Sequence, residues 1–323
     1  MKQKPMFSII ICLYVISPRF YIDIQKYKKL VYKKYEIILV TEKNAHIAPL
    51  NFPHRIIRAK KKRISLGEKR DIGLSAARGE FCAYIDDDAY PDPHWLTEAY
   101  KILRLDKQLG AVGGPNLTPT DEPFWSTIGG YIYESYLTSG EAQYRFLPKS
   151  RREVLELQGV NLIIRRSALK KIGGFQSKLS SGEDSKVCSD LRKAKYKIIY
   201  DPLIAVYHHR RAFPKGHLRQ IRNMGTHRGF FVKAYPNTLS LIYFLPFFLA
   251  CLFFIGLFAS FFNKMIAEMF IIFVLVAFLI AYLSSLQRAG PVKSCIVAAG
   301  IIMTHIVYGI FFVYGFFLKT IEK

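Results

Sequence analysis

The chain has 323 residues, 51% hydrophobic and 15% aromatic, with 47 Lys+Arg against 24 Asp+Glu and a formal net charge of +23. The charge is unevenly spread: residues 1–237 hold 42 Lys+Arg and 22 Asp+Glu, whereas residues 238–323 hold 5 and 2. A basic domain large enough for its own core is therefore followed by an apolar tail unlike any soluble domain. Five cysteines, odd in number and without CxxC spacing, argue against a disulfide framework or a cysteine metal site and fit reduced, mostly buried thiols. The positive charge calls for an anionic partner, and with such a tail attached the membrane surface is the economical one. No nucleic-acid-binding motif is present, so no nucleic-acid partner is expected.

Taken in order, the apolar run over residues 7–16 follows Lys2 and Lys4 as in a signal peptide. Ser17-Pro18-Arg19 offers no small-residue cleavage site, however, and a buried strand over residues 7–13 is expected instead. A helix is predicted over residues 21–32, a strand over 36–41 and another over 54–58. The basic run 60–63 reads as a solvated loop or as a phosphate-attracting one. Residues 67–79 read as a helix with a glycine stop. It feeds an apolar strand that ends in Asp86-Asp87-Asp88, and a helix begins near Trp95.

Strands are then expected over residues 111–115, 157–164, 197–200 and 203–207. A short helix over 165–173 precedes Gly182-Glu183-Asp184, which opens a helix reaching Ala194. Residues 121–148, rich in aromatics, read either as a mobile lid or acceptor surface or as a packed connection. A basic segment over 217–233 has the spacing of an interfacial helix. Three apolar runs, 239–262, 266–286 and 295–318, are each long enough to cross the bilayer. Apolar strands alternating with helical segments predict an α/β domain with a mainly parallel sheet.

Open α/β sheets bind ligands at the carboxyl ends of their strands. Three adjacent carboxylates at such an end repel one another unless a cation neutralises them, which points to a divalent metal.

Arg70-Asp71-Ile72-Gly73, Ala77-Arg78-Gly79-Glu80, Asp86-Asp87-Asp88, Gly159-Val160-Asn161, Ile172-Gly173-Gly174-Phe175, Gly182-Glu183-Asp184 and His208-His209 occur in this order. The ordered set resembles family 2 glycosyltransferases with a GT-A fold, over roughly residues 5–230. The resemblance implies a GT-A catalytic domain over residues 1–216; the charge and hydropathy pattern adds a basic juxtamembrane segment over 217–237 and a transmembrane region over 238–323. It further implies inverting transfer of a sugar from a nucleoside-diphosphate sugar to an acceptor hydroxyl, with Mg²⁺ or Mn²⁺ as cofactor. Asp88 matches the last Asp of the DXD motif and Asp86 the first, both as metal ligands or, for Asp86, a ribose contact; Asp87 is the variable middle position.

Asp184 matches the family's general base and Glu183 its acceptor-positioning neighbour. Either His208 or His209 matches a metal-ligating histidine, with His208 favoured because Tyr207 points to the other face. Donor binding is expected to use Leu13, Tyr14, Glu42 and Arg70 along with the aspartates. Glu42 stands where many relatives have Asp. Leu218-Arg219-Gln220-Ile221-Arg222 lacks the tryptophan of processive synthases, which favours single-sugar addition. The implied setting is the cytoplasmic face of the cell membrane, with a lipid-linked glycan acceptor in cell-surface polysaccharide synthesis. Direct transfer to polyprenyl phosphate and a non-catalytic sugar-nucleotide-binding protein are the alternatives.

Overall fold

The computed structural model describes residues 5–14, 16–42, 46–61, 64–176, 182–236 and 239–320; Lys62 and Arg63 of the basic run lie outside them. The chain forms two compact units. The first takes the chain up to Pro119 and Tyr144–His209, the second Thr120–Gln143 and the chain from Arg210 onward.

The first unit begins with β1 (Phe7–Cys12), whose six residues are all buried. A strand covered on both faces reads as an unbroken apolar run rather than an alternating one. Ser17 then caps α1 (Pro18–Lys26) by accepting a hydrogen bond from the Phe20 amide, with Pro18 in the first turn where its missing N–H costs nothing. The predicted 21–32 helix thus starts earlier and gives way to a 3₁₀ turn at Tyr27–Lys29. β2 (Tyr35–Thr41), β3 (Arg55–Arg58) and α2 (Leu66–Ala76) follow. Ser65 and Glu68 form a reciprocal capping box at the start of α2.

β4 (Phe81–Asp86) carries the acidic end, and β5 (Ala89–Pro91) turns away from it into α3 (Trp95–Leu103), β6 (Leu109–Gly113) and β7 (Asn116–Leu117). The chain then leaves this unit for α4 (Phe124–Glu134) and α5 (Tyr136–Ser139). It returns with β8 (Arg152–Glu153), β9 (Leu162–Arg165), α6 (Arg166–Lys171), α7 (Glu183–Lys193), β10 (Lys197–Tyr200) and β11 (Val206–His208).

The main sheet has the order β3-β2-β1-β4-β9-β6-β10-β8. β1, β2, β3 and β4 run parallel, while β9 is antiparallel to both β4 and β6. The chain moves outward from β1 in one direction to β2 and β3 and in the other to β4. The crevice beyond the ends of β1 and β4 is therefore a topological switch point. Register pairs Cys12 with Asp86, so the chain after β1 emerges beside the acidic triplet. A small sheet, β5-β11-β7, pairs Ala89 with His208 and brings the histidine next to Asp88.

The expected strand over 157–164 is shorter, because Gly159–Asn161 form a 3₁₀ turn. Asn161 is buried and its side chain is spent on bonding: Oδ1 accepts from Trp95 Nε1 at 2.8 Å, and Nδ2 donates to the Ile204 carbonyl at 2.7 Å.

The second unit is helical. It contains α4, α5, α8 (Lys215–Ala234), α9 (Leu245–Ser260) and α10 (Lys264–Phe317). Residues 120–143, the larger part of the aromatic segment, thus pack as helices with the apolar tail. Ile128 and Ile132 of α4 share a buried cluster with Ala281, Val297 and Ile301. α10 is two helices across a break at Gly290, whose φ of 73° and ψ of 169° are followed by Pro291. The positive φ suits glycine alone, and proline cannot donate to the preceding turn. Two helical stretches, Leu241–Ser260 and Lys264–Phe317, are long and apolar enough to cross a membrane.

Candidate active site

The end of β4 and the end of β11 build the centre. One oxygen each from Asp86 and Asp88 and one ring nitrogen of His208 lie within 4.8 Å of one another. His208 Nε2 is 3.1 Å from Asp88 Oδ1. Two carboxylate oxygens and an imidazole nitrogen converging from two elements suit a hard or borderline divalent cation, Mg²⁺ or Mn²⁺. Burial comes first among the causes that push the Asp86 carboxyl up; the Arg70 guanidinium pulls it back and the Asp88 charge adds to the rise. A cation there would reverse the balance.

The neighbouring histidine does other work. His209 Nε2 is 2.8 Å from Asp23 Oδ2, and Lys26 Nζ is 2.9 Å from Asp23 Oδ1. Asp23 is buried on α1; although burial opposes it, the His209 and Lys26 bonds hold its carboxyl below the usual range. The choice between the two histidines follows from strand alternation: successive residues face opposite ways, and His208 is the one that meets the aspartates.

Asp87 points back to the other strand. Its Oδ2 accepts from the Tyr14 amide at 2.9 Å, and burial, opposed by that bond, pushes its carboxyl up to about 6. The Tyr14 ring is half exposed. Lys69 Nζ lies 3.6 Å from that ring's centroid, donates to the Leu13 carbonyl at 2.9 Å and sits 3.5 Å from Glu42 Oε1. Leu13, Tyr14 and Glu42 are therefore brought together as expected. The fully buried Lys69 that joins them was not singled out from the sequence. Its signal was the i, i+4 spacing to Gly73, whose face of α2 lies against Ile10.

Arg70 is not a free donor-binding cation. It is 2% exposed, with Nη1 2.7 Å from Glu183 Oε1 and Nη2 3.3 Å from Asp86 Oδ1. It joins the metal-side carboxylate to the first turn of α7. Burial pushes the Glu183 carboxyl up against the pull of Arg70. At 3% exposure the Glu183 carboxylate is turned onto Arg70 and away from the surface. A Cβ on Gly159 would overlap the Arg70 guanidinium, so this glycine exists to leave room for the ion pair.

Asp184 follows Glu183 at the start of α7, after Gly182 in the left-handed region with φ 87°. Its Oδ2 accepts from the Gly159 amide at 2.9 Å and its Oδ1 from the Ser185 amide at 2.8 Å. Both bonds fix the carboxylate at the first turn of the helix. The Arg70 guanidinium thus links the two halves of the predicted site, the DXD triplet and the Glu-Asp pair. Asp71, by contrast, leaves the site: it accepts from the Phe175 and Gln176 amides at 2.7 and 3.1 Å and pins the Gly173-Gly174-Phe175 turn.

A parallel half-sheet closed by a reversed strand, with a metal-competent acidic cluster at its switch point, defines a GT-A glycosyltransferase fold. GalNAc-T7, solved with UDP, GalNAc and Mn²⁺, shares that fold at a TM-score of 0.50 and 14% identity, over 75% of this chain and 52% of its own. A mannosyltransferase of Pyrobaculum calidifontis, solved with GDP-Man and Mn²⁺, is similar at a TM-score of 0.49 and 17% identity, over 71% and 63% of the two chains. Pre-mycofactocin glycosyltransferases from two strains of Mycobacterium tuberculosis are 29% identical over 149 residues. The match covers 44% of this chain and 29% of theirs, so the chain spans under a third of the length of these relatives. Residues 5–224 match the family "Glycosyltransferase like family 2", and the chain belongs to it.

Proposed function

We propose that the protein is an inverting, metal-dependent glycosyltransferase that uses a nucleoside-diphosphate sugar to glycosylate a hydroxyl of a lipid-linked glycan at the cytoplasmic membrane face. The observation that carries the reading is the convergence of Asp86, Asp88 and His208 within 4.8 Å, tied through Arg70 to the turn that presents Asp184. A divalent cation bound by the first three would offset the charge that builds on the leaving diphosphate. Leu13, Tyr14 and Glu42, braced by Lys69, form the nucleotide side. Asp184, fixed by two backbone amides, takes the proton of the attacking hydroxyl. Arg70 and Glu183 hold these carboxylates in register. The long apolar helices support a membrane-bound setting and hence a lipid-linked acceptor, in the synthesis of a cell-surface polysaccharide.

The test is a screen of purified protein in detergent, pairing a panel of nucleotide sugars with lipid-linked acceptors, with and without Mn²⁺. Mn²⁺-dependent donor binding and transfer with inverted anomeric configuration are expected. Absence of donor binding across the panel would sink the enzymatic reading, and binding without transfer to any acceptor would favour a sugar-nucleotide-binding protein.

A further inference from the structure

Length and composition lead one to expect three membrane crossings in the tail, but contacts within the helical unit trace another path for its last run. α9 and the first half of α10, residues 264–289, are joined by three residues and lie antiparallel. A Cβ on Gly256 would meet the Phe270 ring, and the Phe253 and Phe270 rings are 5.5 Å apart. Counting back along α9 from that contact at about 1.5 Å per residue, Pro246 is level with residue 280 or so. Ala281 shares a buried cluster with Val297, Ala298 and Ile301 of the second half, which places those residues at the same level. Gly309 lies roughly 16 Å of helix further on, yet it rests on the backbone of Pro246, again at that level. A helix that advances this far without changing level runs across the hairpin, not along it.

The neighbours of this second half, residues 291–317, agree. α8 follows it side by side. His217 Nε2 meets Thr304 Oγ1 at 3.0 Å, Gly225 and Gly229 abut the backbone around Phe312, and Lys233 Nζ donates to the Leu318 carbonyl at 2.8 Å. α8 carries Lys215, Arg219, Arg222, Arg228 and Lys233, with Arg219, Arg222 and Lys233 on its exposed face. Five cations on twenty residues exclude α8 from hydrocarbon, so its depth sets the depth of the segment beside it. α4 packs on the same segment and leaves Phe124 and Trp125 45% and 47% exposed. Lys293 Nζ is 5.9 Å from the Phe124 and Tyr131 rings. Aromatic rings beside a lysine suit the headgroup boundary.

We propose that the second half of α10 does not span the bilayer but lies with α8 and α4 as a layer against its anionic headgroups. Only α9 and the first half of α10 cross, as a hairpin, and the C-terminus returns to the side from which α9 departs. The inference rests on the membrane anchoring of the reading above and not on its transfer chemistry, so either can fail without the other.

The test is the sidedness of single cysteines in the full chain, in sealed vesicles of both orientations, probed with an impermeant maleimide. Cys251→Ala and Cys295→Ala clear the background, since Cys12, Cys82 and Cys188 are buried. Lys215→Cys and Lys319→Cys should react from one side and Phe262→Cys from the other. Reaction of Lys319→Cys on the side of Phe262→Cys means three crossings, and reaction of all three on one side means none; either result overturns the proposal. Tryptophan fluorescence supplies a second readout, because Trp95 is fully buried and Trp125 is the only other indole. Lipids brominated high on their chains should quench it more than lipids brominated deep, and Trp125→Phe should remove the effect. Equal or absent quenching would count against the surface layer.

Discussion

Both units use glycine to admit something closer than a side chain would allow, but what they admit differs. In the α/β unit Gly159 makes room for the Arg70 guanidinium, a charge that must be buried to join Asp86 with Glu183. In the helical unit Gly225, Gly229, Gly309 and Gly315 let the backbones of neighbouring helices meet. The first use serves chemistry, since it creates a place for an ion pair in a region of low dielectric. The second serves packing, since without a Cβ the backbones of two helices approach to van der Waals contact. Charges follow the same division. Lys69, Arg70 and Glu183 are buried with named partners, whereas the exposed cations of α8 stay on its outer face.

If that contrast is right, the largest effect comes from the carboxylate at the chemical end of the buried chain. Asp184→Asn keeps an oxygen for the Gly159 amide but loses the basicity, so turnover should fall by about 10²–10⁴-fold with donor affinity little changed. Single-turnover kinetics and calorimetry with the donor separate the two, and full turnover would remove the base assignment. The adjacent histidines give the next contrast. His208→Ala should weaken Mn²⁺-dependent donor binding by about 10–100-fold or more. His209→Ala should leave that dependence intact and instead cost about 1–3 kcal/mol of stability, because Asp23 loses a partner while staying buried. Loss of metal dependence in both variants would blur the assignment that separates them.

The fold was legible where patterns are local. The unbroken apolar runs of β1 and β4 place the acidic triplet at a strand end without any structure, whereas the expected glycine stop at Gly79 is not the helix end: α2 closes at Ala76 with Ala77 as its cap. The antiparallel insertion of β9 between β4 and β6 was not legible, because a run such as Leu162-Ile163-Ile164 reads the same in either direction. In the site, Asp86, Asp88, Asp184 and His208 could be read off as motif positions. The roles of Arg70 and Glu183 could not, since only the tertiary contact shows them spent on each other. Residues 120–143 were ambiguous for a similar reason. Their aromatics fit a lid as well as a packed helix until Ile128 and Ile132 meet α10. Lys69 was hidden by its charge: a lysine on a helix is expected to be solvated, and only its tertiary partners, the Leu13 carbonyl, the Tyr14 ring and Glu42, explain its burial.

The two kinds of glycine can be tested against each other. Gly159→Ala should force Arg70 out of its pocket, at a cost of about 1–3 kcal/mol together with a fall in turnover, because the link between Asp86 and Glu183 goes with it. Gly229→Ala presses against the backbone at Phe312 and should cost a similar amount of stability in detergent. It should leave transfer to a short-chain acceptor unchanged in the folded fraction. Thermal unfolding and kinetics on the same samples decide the matter. Should Gly229→Ala impair catalysis as Gly159→Ala does, the division between chemical and packing glycines would not hold.

The smallest effect is a pH dependence confined to the helical unit. His217 is fully buried, bonded to Thr304 through Nε2 and packed on the Tyr133 and Phe213 rings at 5.1 and 6.0 Å. Burial, with the nearby Arg210 charge second, pushes its imidazole down to about 4 from an ordinary 6.5. Because the folded value is the lower one, the unfolded chain binds the proton first. Stability is therefore whole above about pH 6.5 and declines as the pH falls towards 4. Between pH 6.5 and 5.5 the loss should be about 1 kcal/mol, seen as a lower denaturant midpoint in detergent. His217→Gln retains a group able to bond Thr304 but cannot take up the proton, so this part of the slope should disappear in it. A slope that persists undiminished would mean that the acid sensitivity belongs to groups other than His217.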